Sequence, residues 1–218
     1  MLKIQIQNKS FHNFTLKGFQ FSLRKGEILA LAGMNGSGKT TLLKTIAGID
    51  PDFDGKILFR GQPLHLNDVE YIPPSISPSL SILTRFFLEI SLEKIKVTVE
   101  DRERIHKIAS FLKISNLMDK DLKNLSSGEM TKILLAKALI RKKPVLLWDE
   151  PTSFLDLKYK NYLLQILKKI KKKRILIITT HDYHWAKKIA DSFMGIKNGE
   201  PVFLDSLLNK ENLKKILI

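Results

Sequence analysis

The sequence predicts an α/β fold in which a mainly parallel central sheet is interrupted by a block of helices. Three observations predict it. Strand-sized runs such as Ile28–Ala32 and Val145–Trp148 are apolar throughout, as strands covered on both faces are. Helical spacing rather than strict alternation governs the middle of the chain. A glycine-rich loop joins the first apolar run to a helical stretch. The 218 residues, 44% hydrophobic and 27% charged, suit one globular domain able to bury a core.

The elements follow in order. Leu2, Ile4 and Ile6 alternate with polar residues, and Phe19, Phe21 and Leu23 repeat the pattern, so two half-buried strands open the chain. Residues 27–32 form the first buried strand. Residues 40–47 read as a helix that Gly48 is placed to end. Residues 50–55 carry turn chemistry, and 56–59 and 70–72 are short strands. After Pro73-Pro74 the pattern is helical from about residue 80 to 139, with 96–99 the longest strand-like stretch; Ile105, Ile108, Ala109 and Leu112 sit at helical spacing. Val145–Trp148 and Ile175–Thr179 return to buried strands around a helix over 157–172. Lys197-Asn198-Gly199-Glu200 turns a hairpin between 193–196 and 201–204, and 207–217 closes as an amphipathic helix. The reading is one domain over 1–218, with 1–73 and 141–218 as the core and 74–140 as a helical insertion.

Composition excludes several classes. There is no Cys, hence no disulfide and no thiolate metal site. No apolar stretch approaches the ~18 residues that span a bilayer. The opening MLKIQIQNKS lacks an apolar leader core, so the cytosol is the expected compartment. Lys and Arg number 37 against 22 Asp and Glu, a formal charge of +15. That surplus suits a polyanionic partner or simply a soluble surface.

Gly33-Met34-Asn35-Gly36-Ser37-Gly38-Lys39-Thr40 fits G-x-x-x-x-G-K-[ST] without a gap. Glycines let backbone N–H groups approach phosphate oxygens, and the following helix N-terminus adds its positive dipole. Lys39 is expected on the β- and γ-phosphates, Thr40 on Mg²⁺, and Thr41 on a further phosphate oxygen. Later, the Val145–Trp148 strand ends in Asp149-Glu150, where ligands of open parallel sheets bind. Asp149 is placed to hold Mg²⁺, and Glu150 to polarise an attacking water. His181, beyond Ile175–Thr179, is placed to contact a γ-phosphate.

With these motifs in place the chain resembles, over essentially its whole length, the nucleotide-binding subunit of an ATP-binding-cassette (ABC) transporter. Leu125-Ser126-Ser127-Gly128-Glu129 is similar to the family's LSGGQ signature. The resemblance implies a P-loop NTPase core with an N-terminal antiparallel β-subdomain and an inserted helical subdomain. It implies ATP and Mg²⁺ as cofactors. Asn35, Gly36, Ser37, Gly38, Lys39, Thr40 and Thr41 become nucleotide contacts, and Lys39, Glu150 and His181 the catalytic set. Leu125 to Glu129 would face the γ-phosphate held by a second copy, and Asp156 would lie in a loop crossing that dimer interface. Phe11 is the aromatic expected to stack on adenine, with His12 and Phe14 close by.

Two departures stand out. Where the family carries a Gln entering the helical insertion, this chain has Pro74, which lacks both a side-chain oxygen and an N–H. Weaker Mg²⁺ coordination and altered coupling are therefore expected. Glu129 also adds a negative charge where the family has Gln.

The resemblance further implies a head-to-tail homodimer. It implies an integral membrane permease as partner and an extracytoplasmic binding protein in the same system. The chain would sit peripherally on the inner face of the membrane. Residues 149–157 and 180–186 are similar to the importer branch for iron–siderophore, haem and cobalamin chelates. Phe86 and Phe87 are read either as permease contacts or as insertion core. An exporter ATPase is the alternative. A DNA-associated ATPase would suit the basic run 168–174 but lacks the expected coiled coil, so no nucleic acid partner is expected.

Overall fold

Two sheets carry the fold of the computed structural model, which describes residues 1–11, 14–79 and 81–217. His12 lies outside the described residues. The first sheet is antiparallel. Strands β1 (Leu2–Phe11) and β2 (Phe14–Leu23) pair along their length, and β4 (Asp54–Phe59) and β5 (Gln62–Pro63) extend the other edge, in the order β2-β1-β4-β5. The second sheet has the order β10-β9-β3-β8-β7-β6. It is built from β3 (Ile28–Ala32), β6 (Val69–Ile72), β7 (Val145–Trp148), β8 (Ile175–Thr179), β9 (Ser192–Lys197) and β10 (Glu200–Asp205). Five of these run parallel, and β10 returns antiparallel on β9. This is the expected α/β class with an antiparallel N-terminal sheet.

The central strands are buried on both faces because their side chains alternate between two cores. Leu29 and Leu31 of β3, with Leu147 of β7 and Ile177 of β8, cluster with β1, β2 and helix α1 (Lys39–Ile46). Ile28, Ala30, Leu146, Trp148, Leu176 and Ile178 cluster instead with α4 (Ser127–Arg141) and α5 (Leu157–Lys171). A strand with two apolar faces must read as a continuous apolar run, which is what the sequence displayed. Each fully buried Leu or Ile here contributes roughly 1.5–3 kcal/mol of transfer free energy.

Local chemistry sets the ends. Gly48 takes φ +69° after α1, and the amides of Gly48 and Ile49 donate to the carbonyls of Thr45 and Lys44, closing the helix as expected. Asn198 and Gly199 both take positive φ, as a two-residue hairpin turn requires. Between β6 and β7 stand α2 (Thr84–Ile90), α3 (Val99–Phe111) and α4, with two short 3₁₀ turns between α3 and α4. The strand-like 96–99 is no strand. Thr98 caps α3, accepting from the Asp101 amide while Asp101 accepts from the Thr98 amide. That reciprocal cap outweighs the β-branched residues flanking it. Phe87 packs against the large core, whereas Phe86 is 45% exposed beside Arg85 and Arg102. Among the described residues no helix is long and apolar enough to cross a membrane.

Candidate functional site

The loop between β3 and α1 leaves the carboxyl edge of the parallel sheet and turns on glycines. Gly36 and Gly38 take φ +77° and +107°. A Cβ on Gly38 would come within 2.6 Å of the Phe14 ring, so β2 closes directly over the loop. Helix α1 then starts with no side-chain cap and no acidic residue in its first turn. Its leading amides are left to an incoming anion.

Lys39, 7% exposed, curls back so that its ammonium donates to the carbonyls of Gly33 (2.9 Å) and Met34 (3.0 Å). Burial pulls its pKa down, opposed by the carboxylates of Glu150 and Asp149. An amine short of solvent and held on weak carbonyl acceptors has every electrostatic reason to exchange them for a phosphate.

Asp149, 1% exposed, is the centre of a hydroxyl network. Its Oδ2 accepts from Thr40 at 2.6 Å and from Tyr71 at 3.3 Å, and its Oδ1 accepts from Thr179. Thr179 Oγ1 also accepts from the Glu150 amide at 2.9 Å. One threonine therefore ties β8 to both acids that follow β7. Burial, then the charge and hydrogen bond of Asp149, push the Tyr71 phenol far above its usual range. Neither Tyr71 nor Thr179 was among the residues expected from sequence. A polar residue ending a strand of Ile and Leu, as Thr179 does, is the signal that could have singled it out.

Glu150 adopts φ +51°, a left-handed conformation uncommon for a residue with a Cβ and frequent at functional sites. His181 Nε2 stands 3.2 Å from its Oε1, yet off the line of a hydrogen bond, so that buried oxygen has no well-formed partner. Ser153 donates to Oε2 at 3.3 Å.

These groups share one cavity of about 350 Å³. Asn35, Gly36, Gly38, Lys39, Thr40 and Thr41 line it from the phosphate loop and α1, Asp149, Glu150 and His181 from beyond β7 and β8, Phe11 and Phe14 from the first sheet, and Pro74 brings neither an N–H nor a polar side chain. Ser37 lies behind the loop, its hydroxyl beside Gly33 and its carbonyl accepting from Gly199. The arrangement fits a magnesium nucleotide. It offers uncapped helix amides, a shielded ammonium, a Thr–Asp pair of hard oxygens and one unsatisfied carboxylate oxygen. Among the described residues no three His, Asp or Glu side chains form a cation cage, so a bound Mg²⁺ would draw its remaining ligands from phosphates and water.

The signature segment lies elsewhere on the chain. Ser126, Ser127, Gly128 and Glu129 line a separate concavity of about 390 Å³ with Phe154, Leu155 and Asp156. Leu125 is half-buried, packed on the large core. Ser126 caps α4 and Asp156 caps α5, accepting from the Tyr159 amide at 2.7 Å. The expected extra charge at Glu129 is turned away. Its carboxylate accepts from the Ser126 amide (2.9 Å) and pairs with Lys120 (3.1 Å), and these contacts hold its pKa below the usual range.

The fold and the cavity define a phosphate-loop nucleotide hydrolase. Residues 16–153 match the family model described as ABC transporter, and the chain belongs to that family as an ATP-binding ATPase. The molybdate/tungstate import ATP-binding protein WtpC of Methanocaldococcus jannaschii is 35% identical over 225 residues, 99% of this chain and 75% of that protein. WtpC of Pyrococcus horikoshii is 32% identical over 88% of this chain, which spans only 58% of that relative. A solved ABC transporter described as of metal-chelate type, in an inward-facing conformation, superposes with a TM-score of 0.85 at 24% identity, covering 99% of this chain and 88% of its own.

Proposed function

We propose that this chain is the ATP-hydrolysing subunit of an import system, acting as a head-to-tail pair beneath a membrane permease. The observation that carries the reading is the 2.6 Å hydrogen bond from Thr40 to Asp149. It joins the phosphate loop to the acids beyond β7, 109 residues away, within one cavity. Phe11 and Phe14, lining the cavity from the first sheet, offer a face for adenine. The amides from Asn35 to Thr41, backed by Ser37, cradle the phosphates, and Lys39 neutralises them. Thr40 and Asp149 hold Mg²⁺, which when bound offsets phosphate charge. Glu150 accepts a proton from the attacking water through its unpartnered Oε1, and His181 beside it donates toward the γ-phosphate.

Ser126 to Glu129 and Asp156 line a concavity different from the one that holds the phosphate loop. A second copy supplies them in this reading, so that ATP is buried between two chains and its hydrolysis releases them. Phe86 and its groove of about 500 Å³ on the helical insertion are the permease contact. An extracytoplasmic binding protein would deliver cargo, and the chain would work at the inner membrane face.

Import is favoured over export by the names of both WtpC relatives. For the cargo, the metal-chelate expectation rests on sequence resemblance and on likeness of fold. The 35% relative, aligned over 99% of the chain, favours an oxyanion of the molybdate or tungstate type, which is therefore the class to test first. The experiment is ATP binding and turnover of Glu150→Gln. Retained ATP affinity with turnover reduced at least a hundredfold supports the assignment; unchanged turnover overturns it.

A further inference from the structure

From β6 the chain runs through Tyr71-Ile72-Pro73 to Pro74, which lines the cavity, and this segment has one side chain able to hydrogen-bond, the phenol of Tyr71. The parallel register places Ile72 opposite Trp148 and Tyr71 opposite Leu147. Tyr71 therefore projects to the same face as Asp149, two residues beyond Leu147. That face also holds α1 and hence Thr40. The Asp149 amide donates to the Ile72 carbonyl at 2.9 Å, so the two strands stay locked up to the carboxylate itself. The ring of Tyr71 packs against the smaller core, fixing the phenol at the one point where it meets Oδ2.

We propose that Tyr71 is a positioning residue for the divalent cation that accompanies ATP, acting by orienting the Asp149 carboxylate. The inference rests on the reading of Asp149 as the cation-side acid. Oδ1 is fixed by Thr179, whereas Oδ2 is shared by Thr40 and Tyr71. Once the Thr40 oxygen turns to a cation, its proton alone is a single tether on Oδ2. The phenol supplies a second, from a different strand, and limits rotation of the carboxylate. At 3.3 Å it is longer than the ~2.7 Å of a tight O–H···O bond, leaving room to tighten as the site loads. Groups that hydrogen-bond to a cation's ligands typically change metal affinity by about 10- to 100-fold when removed.

The test compares wild type with Tyr71→Phe, which keeps the packed ring and deletes only the hydroxyl. ATP affinity is measured by calorimetry in EDTA and in Mg²⁺, and Mn²⁺ affinity of the ATP complex by paramagnetic resonance. The expected result is unchanged ATP affinity in EDTA and about tenfold weaker Mn²⁺ binding, with a midpoint of thermal unfolding close to wild type. Mn²⁺ affinity within twofold of wild type overturns the proposal. So does an equal loss of ATP affinity with and without metal, which would mark a packing role. If wild type binds no ATP in any condition, the underlying nucleotide assignment fails, an outcome distinct from either of those.

Discussion

The amide of Gly199 donates to the carbonyl of Ser37 at 3.0 Å, so the turn of the β9–β10 hairpin holds the phosphate loop from behind. The Gly199 carbonyl in turn accepts from the Lys17 amide at 3.0 Å, tying the same turn to β2, which carries Phe14 over Gly38. One glycine thus links three segments around the cavity. A Cβ at this position would lie 1.8 Å from the Thr15 carbonyl oxygen, at φ +82°. Gly199→Ala is expected to destabilise the fold by about 1–3 kcal/mol and to weaken ATP binding. Gly26→Ala is the control: it shares a positive φ of +97° but meets nothing within 4 Å. Nucleotide titrations and denaturant melts of both variants check this. Equal ATP affinity in the two would show that the hairpin does not support the loop.

Lys9 is 2% exposed, although the alternation of Leu2, Ile4 and Ile6 would turn position 9 to solvent; the register of β1 against β4 shifts between Ile6 and Asn8 and brings it inward. Its ammonium pairs with the Asp50 carboxylate at 2.9 Å and donates to the carbonyls of Asp50 (3.1 Å) and Asp52 (2.8 Å). It thereby fixes the segment following α1 against β1, two residues before Phe11. Lys9→Met keeps the aliphatic stem but strands three acceptors. Because the Asp50 side chain remains 30% exposed, the loss is expected below the full range for a buried pair, about 2 kcal/mol. That corresponds to a melting midpoint lower by about 5 °C. A calorimetric scan showing no decrease would mean that solvent replaces the lysine without penalty.

What the sequence disclosed and what it withheld divide along local and non-local lines. The glycine loop, the doubly buried strands and the carboxylates after β7 were legible because each is written in consecutive residues. The pairing of Asp149 with Thr40 could be expected for the same reason: each ends a recognisable motif, and the two are hydrogen-bonded. Tyr71 could not be joined to Asp149, because their meeting depends on the register of β6 against β7, 78 residues apart in the chain. The stretch 96–99 misled because Val97 and Val99 alternate with polar residues, while the reciprocal cap between Thr98 and Asp101 decides the conformation. Pro74 was legible as a missing oxygen, but the polar group standing three residues upstream was not.

Gly128 marks where the signature helix touches the loop before α5. A Cβ there would fall 2.5 Å from the Phe154 carbonyl oxygen, a backbone atom that cannot swing aside. Alanine in the first turn of a helix otherwise gains up to about 1 kcal/mol over glycine. Stability of Gly128→Ala should therefore change little while the loop that includes Asp156 is displaced. The isolated chain is expected to bind ATP normally, and turnover of the assembled pair to fall at least tenfold. Normal turnover would show that the contact between these two segments has no part in the chemistry.

Glu129 supplies a pH test of the signature cap. Its carboxylate accepts from the Ser126 amide and then from Lys120, and both hold its pKa below the ordinary glutamate value of about 4.5. A carboxyl depressed in the folded state binds protons more readily when unfolded. Its stabilising contribution is complete above the unfolded pKa and disappears as pH falls through the depressed folded value. Glu129→Gln loses the charge-assisted bond to the amide and the pairing with Lys120. The variant should accordingly be less stable than wild type at pH 7, and the gap should narrow below pH 4.5 as wild type loses the same interaction. Urea melts of both proteins at neutral and acid pH measure that gap directly. A difference that stays constant with pH would mean that the cap works through neutral hydrogen bonding and that the charge at this position is idle.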